Sequence, residues 1–388
     1  MSGIVLSAAV RQNLLSLQST AELLSTTQNR LASGKKVNTA LDNPTNFFTA
    51  QGLDNRASDI NNLLDAIGNG VQVLQAANTG ITSLQKLVDT ARSIANQVLQ
   101  TTVGYSPKST VSSSAALGGT AANLVDGATI KVGDVLTIAA TGGGTPTTIT
   151  FGANESLDQL NAALSANNLS AGLDANNKLV LTTLNDAASS TIGAVTYTNT
   201  GGGTVTFGAV NAPVADVDSQ TRRANLVDQY NNIIAQITTT SQDASFNGIN
   251  LLNGDDLKLT FNETGKSTLN IKGVTYDAAG LGLAPLTPAT DFLDNDSAKA
   301  VIAKISSASD VLRSEASALG SNLSIVQIRQ DFSKNLIVVL QTGSANLTLA
   351  DSNEEAANSQ ALSTRQSIAV SALALSNQSQ QSVLKLLQ

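Results

Sequence analysis

Along the first thirty or so residues, apolar side chains fall at Leu6, Val10, Leu14, Leu17, Ala21 and Leu24, with Leu31 one heptad further on. Spacings of 4, 4, 3, 4 and 3 are the seam of a helix that packs lengthwise on other helices. Ser33-Gly34 interrupts this stripe, glycine being a common helix stop. Pro44 then suits the first turn of a second helix, with Asp42 or Asn43 as its cap. Ile60, Leu64, Ile67, Val71, Leu74, Ile81, Leu84, Leu87 and Val88 carry that helix from about Thr45 to about Gln100. At 1.5 Å per residue, ~55 residues span roughly 80 Å. Such a length exceeds what a compact domain needs and predicts a rod. Gly68, Gly70 and Gly80 would weaken an isolated helix, and are expected where neighbouring chains pack closely.

Beyond residue 105 the pattern changes. Alternating, threonine-rich runs at 129–132, 135–138, 147–151, 178–182 and 204–207 read as strands, some separated by the glycine-rich turns after Thr141 and Thr200. One helix intervenes, Glu155 to Ala166, with Leu157, Leu160 and Leu164 on one face and Asn154 as cap. Helical pattern returns from about Val214 to Thr240, with Leu226, Ile233 and Ile237 on one face, and ends in the turn around Phe246-Asn247-Gly248. Period-two runs on either side of Asn262-Glu-Thr-Gly predict a hairpin. From Asp296 onward the chain is helical, with Ile368, Ala372, Leu375, Val383 and Leu386 as apolar positions of its last stretch. A lone helical stripe cannot bury itself. The ends therefore pair with each other, with neighbouring copies, or with both.

The predicted fold is mainly α: long terminal helices forming a coiled-coil-like rod, with an inserted β-rich α+β domain and a β-hairpin in the rod. The expected divisions are an inner helix over 1–35, a first rod part over 36–116 and an outer domain over 117–212. A second rod part follows over 213–350, with its hairpin at 257–272, and then a last inner helix over 351–388.

Composition narrows the function. The chain has 388 residues and a formal net charge of −7, with 22 Lys plus Arg against 29 Asp plus Glu. That balance argues against nucleic-acid or anionic-membrane binding. The segment 117–212 has no arginine and holds 14 of the 29 glycines. Cysteine, histidine and tryptophan are absent, which removes thiol nucleophiles, imidazole bases, Cys/His metal clusters and disulfides. The longest purely apolar run, Leu336 to Leu340, is too short to span a bilayer. No uninterrupted apolar core or small-residue cleavage site marks the N-terminus, so a cleaved secretory signal is not expected. Ser33-Gly34-Lys35-Lys36 lacks the first glycine of a phosphate loop. Neither Asp255-Asp256 nor the Asp291, Asp294 and Asp296 group has calcium-loop spacing, and both read as solvated carboxylates. Asn154-Glu-Ser and Asn168-Leu-Ser match the glycosylation pattern by coincidence in an Asn/Ser-rich chain. No cofactor, metal or catalytic residue is expected; the chain reads as structural.

Five ordered motifs carry a resemblance to bacterial flagellins. They are residues 30–44, running Arg-Leu-Ala-Ser-Gly-Lys-Lys-Val-Asn-Thr-Ala-Leu-Asp-Asn-Pro; Leu84-Gln85-Lys86; Phe246-Asn247-Gly248 with Leu251-Leu252; Leu312-Arg313-Ser314-Glu315; and the run Ser382-Val-Leu-Lys-Leu-Leu. They cover roughly residues 1–100 and 214–388. The stretch from Asn154 to Thr182 resembles a strand–helix–strand module of outer flagellar domains. In this chain the insertion precedes the helix that leads to Phe246, whereas in the enterobacterial type it follows that turn.

The resemblance implies a subunit that polymerises into the extracellular flagellar filament for swimming. It implies unfolded export through the flagellar type III apparatus with a chaperone, and contacts with hook-associated and cap proteins. A hook–filament junction protein is the alternative. The heptad stripes alone fit an intramolecular bundle as well as a subunit interface; the resemblance favours the interface, placing Leu6, Val10, Leu14, Leu17, Leu24, Leu31, Ile368, Ala372, Leu375 and Leu386 there. Many flagellins are also sensed by an animal Toll-like receptor. At the matching surface this chain has Lys86 and Val88 for two arginines, Asp89 for an acid, Thr90 for a leucine and Gln236 for a glutamate. Weak or absent receptor activation is the expectation.

Overall fold

A computed structural model describes residues 8–386, without the side chains of Ala9, Gln380 and 383–386. Its elements in chain order are α1 (Ala8–Ser33), α2 (Pro44–Gln100), β1 (Thr110–Ser112), β2 (Val135–Ile138), β3 (Thr147–Thr150), α3 (Leu157–Ser165), β4 (Leu169–Leu173), β5 (Leu179–Thr183), β6 (Val195–Thr198), α4 (Val217–Asp243), β7 (Leu257–Thr260), β8 (Thr268–Ile271), α5 (Asn295–Thr348) and α6 (Ser352–Leu386). The long terminal helices and the β-rich middle agree with the fold expected from the pattern. Two compact units share the long helices. One comprises residues 1–70, 258–269 and 325–388, the other residues 71–257 and 270–324.

In the first unit α1 and α6 pack together. They run antiparallel, because the end of α1 meets the start of α6. Lys36 N–H donates to Thr348 O at 2.7 Å and Ala350 N–H to Gly34 O at 3.0 Å. Arg30, in the last turn of α1, pairs at 3.3 Å with Glu355, in the first turn of α6. Each charge therefore sits at the helix end whose dipole it favours. Asn43, the second of the two expected caps, holds the start of α2: its side chain accepts from Asn46 N–H at 3.0 Å. Farther along α2, Ala57 and Ile60 are buried with Ile337 and Leu340 of α5.

The second unit holds the inserted domain. Two antiparallel sheets, ordered β1-β5-β4 and β3-β2-β6, enclose a core that includes Leu136, Ile149, Phe151, Leu160, Leu164 and Leu181. Because β1 pairs with β5 through Thr110↔Thr182 and Val111↔Leu181, the domain begins before residue 117, the boundary composition suggests. Its entry and exit segments form a narrow ribbon. Ser106 N–H donates to Val214 O at 2.9 Å, Asn211 N–H to Thr110 O at 2.8 Å and Asp216 N–H to Gly104 O at 3.0 Å.

Two runs expected as strands are not strands. At 128–130 the backbone N–H groups of Ala128, Thr129 and Ile130 donate to the Asp126 carboxylate, which bends the segment away from any ladder. At 204–207 only Phe207 bridges, to Ser113. The helix cap also differs. Ser156, rather than Asn154, caps α3 through a capping box with Gln159, a serine with Gln three residues on being the favoured pair.

Burial raises the Asp126 pKa, but hydrogen bonds from the Thr129 hydroxyl and from three backbone N–H groups outweigh it and lower the pKa to about 2. A depressed folded pKa means stabilisation that is complete above the ordinary carboxylate value and fades as pH falls towards the folded one. The inserted domain is thus predicted to lose stability between about pH 4 and about pH 2. Asp126→Asn should flatten that slope in denaturant midpoints followed by circular dichroism. A wild-type midpoint constant across this range would contradict the assignment.

Tight packing within the chain, rather than against neighbouring chains, accounts for two of the helix glycines. A Cβ at Gly70 would overlap Leu259 of the hairpin, and one at Gly80 would overlap Ala244 and Leu252. At the turn after α4, Asn247 and Gly248 both have positive φ, 51° and 80°, with Phe246 bridged to Ile249. Paired left-handed residues are what a two-residue type I′ turn requires, and Asn-Gly supplies them at least steric cost.

Candidate assembly surface

The α1–α6 pair has polar residues where a helix seam normally has apolar ones. On α1 the buried or half-buried positions are Val10, Asn13, Leu17, Thr20, Leu24, Thr27 and Arg30. On α6 they are Glu355, Ser359, Leu362, Gln366, Ala369, Leu373 and Ser376. Both sets step by three and four, so each helix turns one heptad stripe to its partner within the chain. Leucines are diluted there by Thr, Ser, Asn and Gln. Meanwhile Leu14, Leu15, Leu23 and Leu31 of α1, and Ile368, Val370 and Leu375 of α6, are exposed.

Of the expected interface residues, Val10, Leu17 and Leu24 therefore face α6 of the same chain. Leu14, Leu31, Ile368, Ala372 and Leu375 face outward. Leu6 and the side chain of Leu386 lie outside the described residues.

A further apolar stripe is one that sequence reasoning missed. Ile325, Ile328, Phe332, Val338 and Val339 of α5 are all exposed, with Phe332 at 58%. Spacings of three, four and seven from Ile325 to Val339 are the heptad signal that could have found it. The opposite face of the same helix buries Val326, Ser333, Ile337, Leu340 and Ser344, so α5 carries two stripes, one of them uncovered. At the α1–α2 elbow Leu41 is 95% exposed and Phe48 is exposed as well. The elbow is held by Asp42, whose carboxylate accepts from Asn38 N–H at 2.9 Å and Thr39 N–H at 2.8 Å. Those bonds lower its pKa. Scattered exposed leucines are ordinary, whereas contiguous exposed stripes mark an interaction surface.

In the second unit, Lys86, Asp89 and Thr90 of α2 and Gln236 of α4 are at least partly exposed. Val88, expected on that surface, is instead fully buried. Lys86 and Asp89 are three residues apart and share a face, while Val88 falls with Leu84 and Ala91 on the inward one.

Arg223 of α4, which sequence reasoning missed, makes an extensive set of side-chain hydrogen bonds. Its side chain is fully buried. Nε donates to Thr102 O at 2.7 Å, and Nη2 donates to Val98 O at 3.1 Å, Thr101 O at 2.8 Å and Asn295 Oδ1 at 3.0 Å. Nη1 donates to Phe292 O at 2.6 Å and Asp294 O at 3.2 Å. One guanidinium thus caps the orphan carbonyls at the end of α2 and ties them to the start of α5. Burial lowers its pKa, opposed by the nearby Asp294 charge. Only an arginine has five donors in a planar fork, but the second arginine of an Arg222-Arg223 pair in a helical pattern gives no such signal in sequence.

Among the described residues no group of acidic side chains could hold a metal ion, and no helix is long and apolar enough to cross a membrane.

Residues 5–130 match the bacterial flagellin N-terminal helical region, and residues 302–387 the bacterial flagellin C-terminal helical region, together more than half of the chain. Flagellin FljM of Caulobacter vibrioides is 32% identical over 163 residues, 42% of this chain and 58% of that protein. Flagellin FljK of the same organism is 33% identical over 164 residues, again 42% and 58%. Flagellin C of Rhizobium meliloti is 24% identical over 204 residues, 40% of this chain and 64% of that protein. The matched part of the chain spans somewhat more than half the length of these relatives.

Proposed function

The chain belongs to the bacterial flagellin family, and on that premise we propose that it polymerises into the extracellular filament of a flagellum that drives swimming. Flagellins are structural proteins, not enzymes. One observation carries the reading: α1, α5 and α6 each leave several large apolar side chains exposed, while the α1–α6 seam is diluted with polar residues. Burying those stripes against further copies of the chain removes apolar surface from water, at about 25 cal/mol per Å². Head-to-tail contacts between unlike surfaces generate an open helix rather than a closed ring. Electron microscopy of the purified chain under assembly conditions tests this: smooth filaments are expected, and their absence at every concentration would refute it.

Export in an unfolded state by the flagellar type III apparatus, with a chaperone, fits a chain without cysteine. Hook-associated and cap proteins are its proposed neighbours at the two filament ends. The inserted domain is the proposed outer, surface-exposed part of the filament. Its two ends meet at the Gly104–Asp216 hydrogen bond, so deleting residues 106–214 with a short linker is expected to leave filament yield intact in a sedimentation assay. A deleted chain that stays soluble would place the domain in the assembly surface.

Weak or absent activation of the animal Toll-like receptor also belongs to this reading. Lys86 offers a point charge where a receptor would grip a planar arginine, Thr90 removes an apolar knob and Gln236 removes a charge. In a reporter-cell assay monomeric protein should give little signal. Activation at the potency of an enterobacterial flagellin would contradict this.

A further inference from the structure

Strand β4 lies at the edge of the sheet β1-β5-β4. Edge strands present unpaired N–H and C=O groups and invite another strand to add. Charged residues and proline, the usual deterrents, are absent from β4, whose sequence is Leu169-Ser170-Ala171-Gly172-Leu173. At its middle residue the edge is already occupied. The Asn161 side chain of α3 donates through Nδ2 to Ala171 O at 3.1 Å and accepts through Oδ1 from Ala171 N–H at 2.6 Å. A primary amide bonded in this way reproduces the paired donor and acceptor of a neighbouring strand. Ala171 is partnered with Leu181 of β5 in register, and its outward main-chain groups belong to Asn161.

Period two makes Leu169 and Leu173 the other residues whose main-chain groups face the edge. The strand is self-complementary about Ala171. An antiparallel copy centred there sets Leu169 against Leu173 and Ser170 against Gly172, with apolar side chains matched on one face. A second β4 is therefore the strand this edge fits best.

We infer that Asn161 is a guard that keeps β4 of one chain from pairing with β4 of a second copy. The need for it rests on the assembly reading, because a filament holds many inserted domains at high local concentration. Strand pairing between them would bundle filaments or clump free subunits. With Asn161 in place, an incoming strand must first displace two hydrogen bonds and leave a half-buried amide without partners.

The test uses the full chain carrying Phe332→Asp, which disables the helix stripe, and compares it with and without Asn161→Ala by sedimentation velocity. The Phe332→Asp chain should sediment as a monomer. The double variant should shift to dimers and larger species with rising concentration. Adding Ser170→Lys, a charge on the edge strand, should restore the monomer. A double variant that stays monomeric with a native circular dichroism spectrum overturns the guard. Should Asn161→Ala fail to fold, Asn161→Ser, whose hydroxyl is too short to bridge both groups, is judged by the same comparison. Filaments from the Phe332→Asp chain itself would remove α5 from the assembly surface instead. The guard is then judged by electron microscopy: Asn161→Ala filaments should bundle laterally, and single filaments like the parent's would overturn it.

Discussion

Aspartate at Phe332 or at Leu375 is expected to abolish filament formation while leaving the single chain folded. Both side chains are well exposed in the chain, at 58% and 69%. Surface substitutions of that kind usually change stability by less than about 0.5 kcal/mol. In a closed interface the same aspartate becomes a buried, unpaired charge, which costs about 3 kcal/mol or more. Each 1.4 kcal/mol is about a factor of ten in an equilibrium constant, so the critical concentration should rise at least about a hundredfold. The penalty recurs at every subunit, and a filament has no way to dilute it. Pelleting assays on each variant measure the critical concentration directly. Wild-type yield from Phe332→Asp would remove α5 from the assembly surface, and the same result from Leu375→Asp would remove α6.

Arg223→Met is expected to destabilise the second unit severely. Methionine approximates the length of the stem but donates nothing. Six acceptors at the end of α2 and the start of α5 lose the arginine's hydrogen bonds, although Val98 O keeps Thr101 N–H and Asp294 O keeps the Ser297 hydroxyl. A buried acceptor left unsatisfied costs about 1–3 kcal/mol. The losses share one site and will not add fully, so about 3 kcal/mol is a lower expectation. Arg223→Lys should fall between, keeping the charge but supplying three donors on a point rather than a fork. Denaturant midpoints rank the three proteins. A methionine variant within about 0.5 kcal/mol of wild type would show that the hydrogen bonds are replaced by water at little cost.

How much of the fold is legible in the sequence follows from what periodicity reports. Long helices announce themselves, since a 3-and-4 spacing kept up over many turns seldom arises outside a packed helix. The bounds expected for α2 and for the hairpin at Asn262 accordingly lie close to those observed. Periodicity does not say which partner a stripe meets. Val10 and Leu14 both belong to the stripe read from sequence, yet Val10 is buried against α6 and Leu14 faces solvent. A small change of phase on the helix decides between them. The same limit places Val88 on a surface it does not reach. In the inserted domain, β4 is built largely of small residues with weak strand propensity and gives no strand signal. The run at 129–132 has strong propensity but is bent by Asp126, and local carboxylate-to-backbone bonding overrides the preference for strand. Arg223 is invisible in sequence because its role depends on carbonyls distant along the chain, brought together only by the fold.

Hydroxyl-radical footprinting of the chain before and after assembly tests most directly whether the exposed stripes are the filament contacts. Phe332, Ile328 and Leu375 are exposed in the single chain and react there, as does Val217 at the foot of α4, which lies outside the stripes. Assembly is predicted to protect Phe332, Ile328 and Leu375 strongly and to leave Val217 reactive. Filaments in which Phe332, Ile328 and Leu375 react as fast as in the free chain would contradict it.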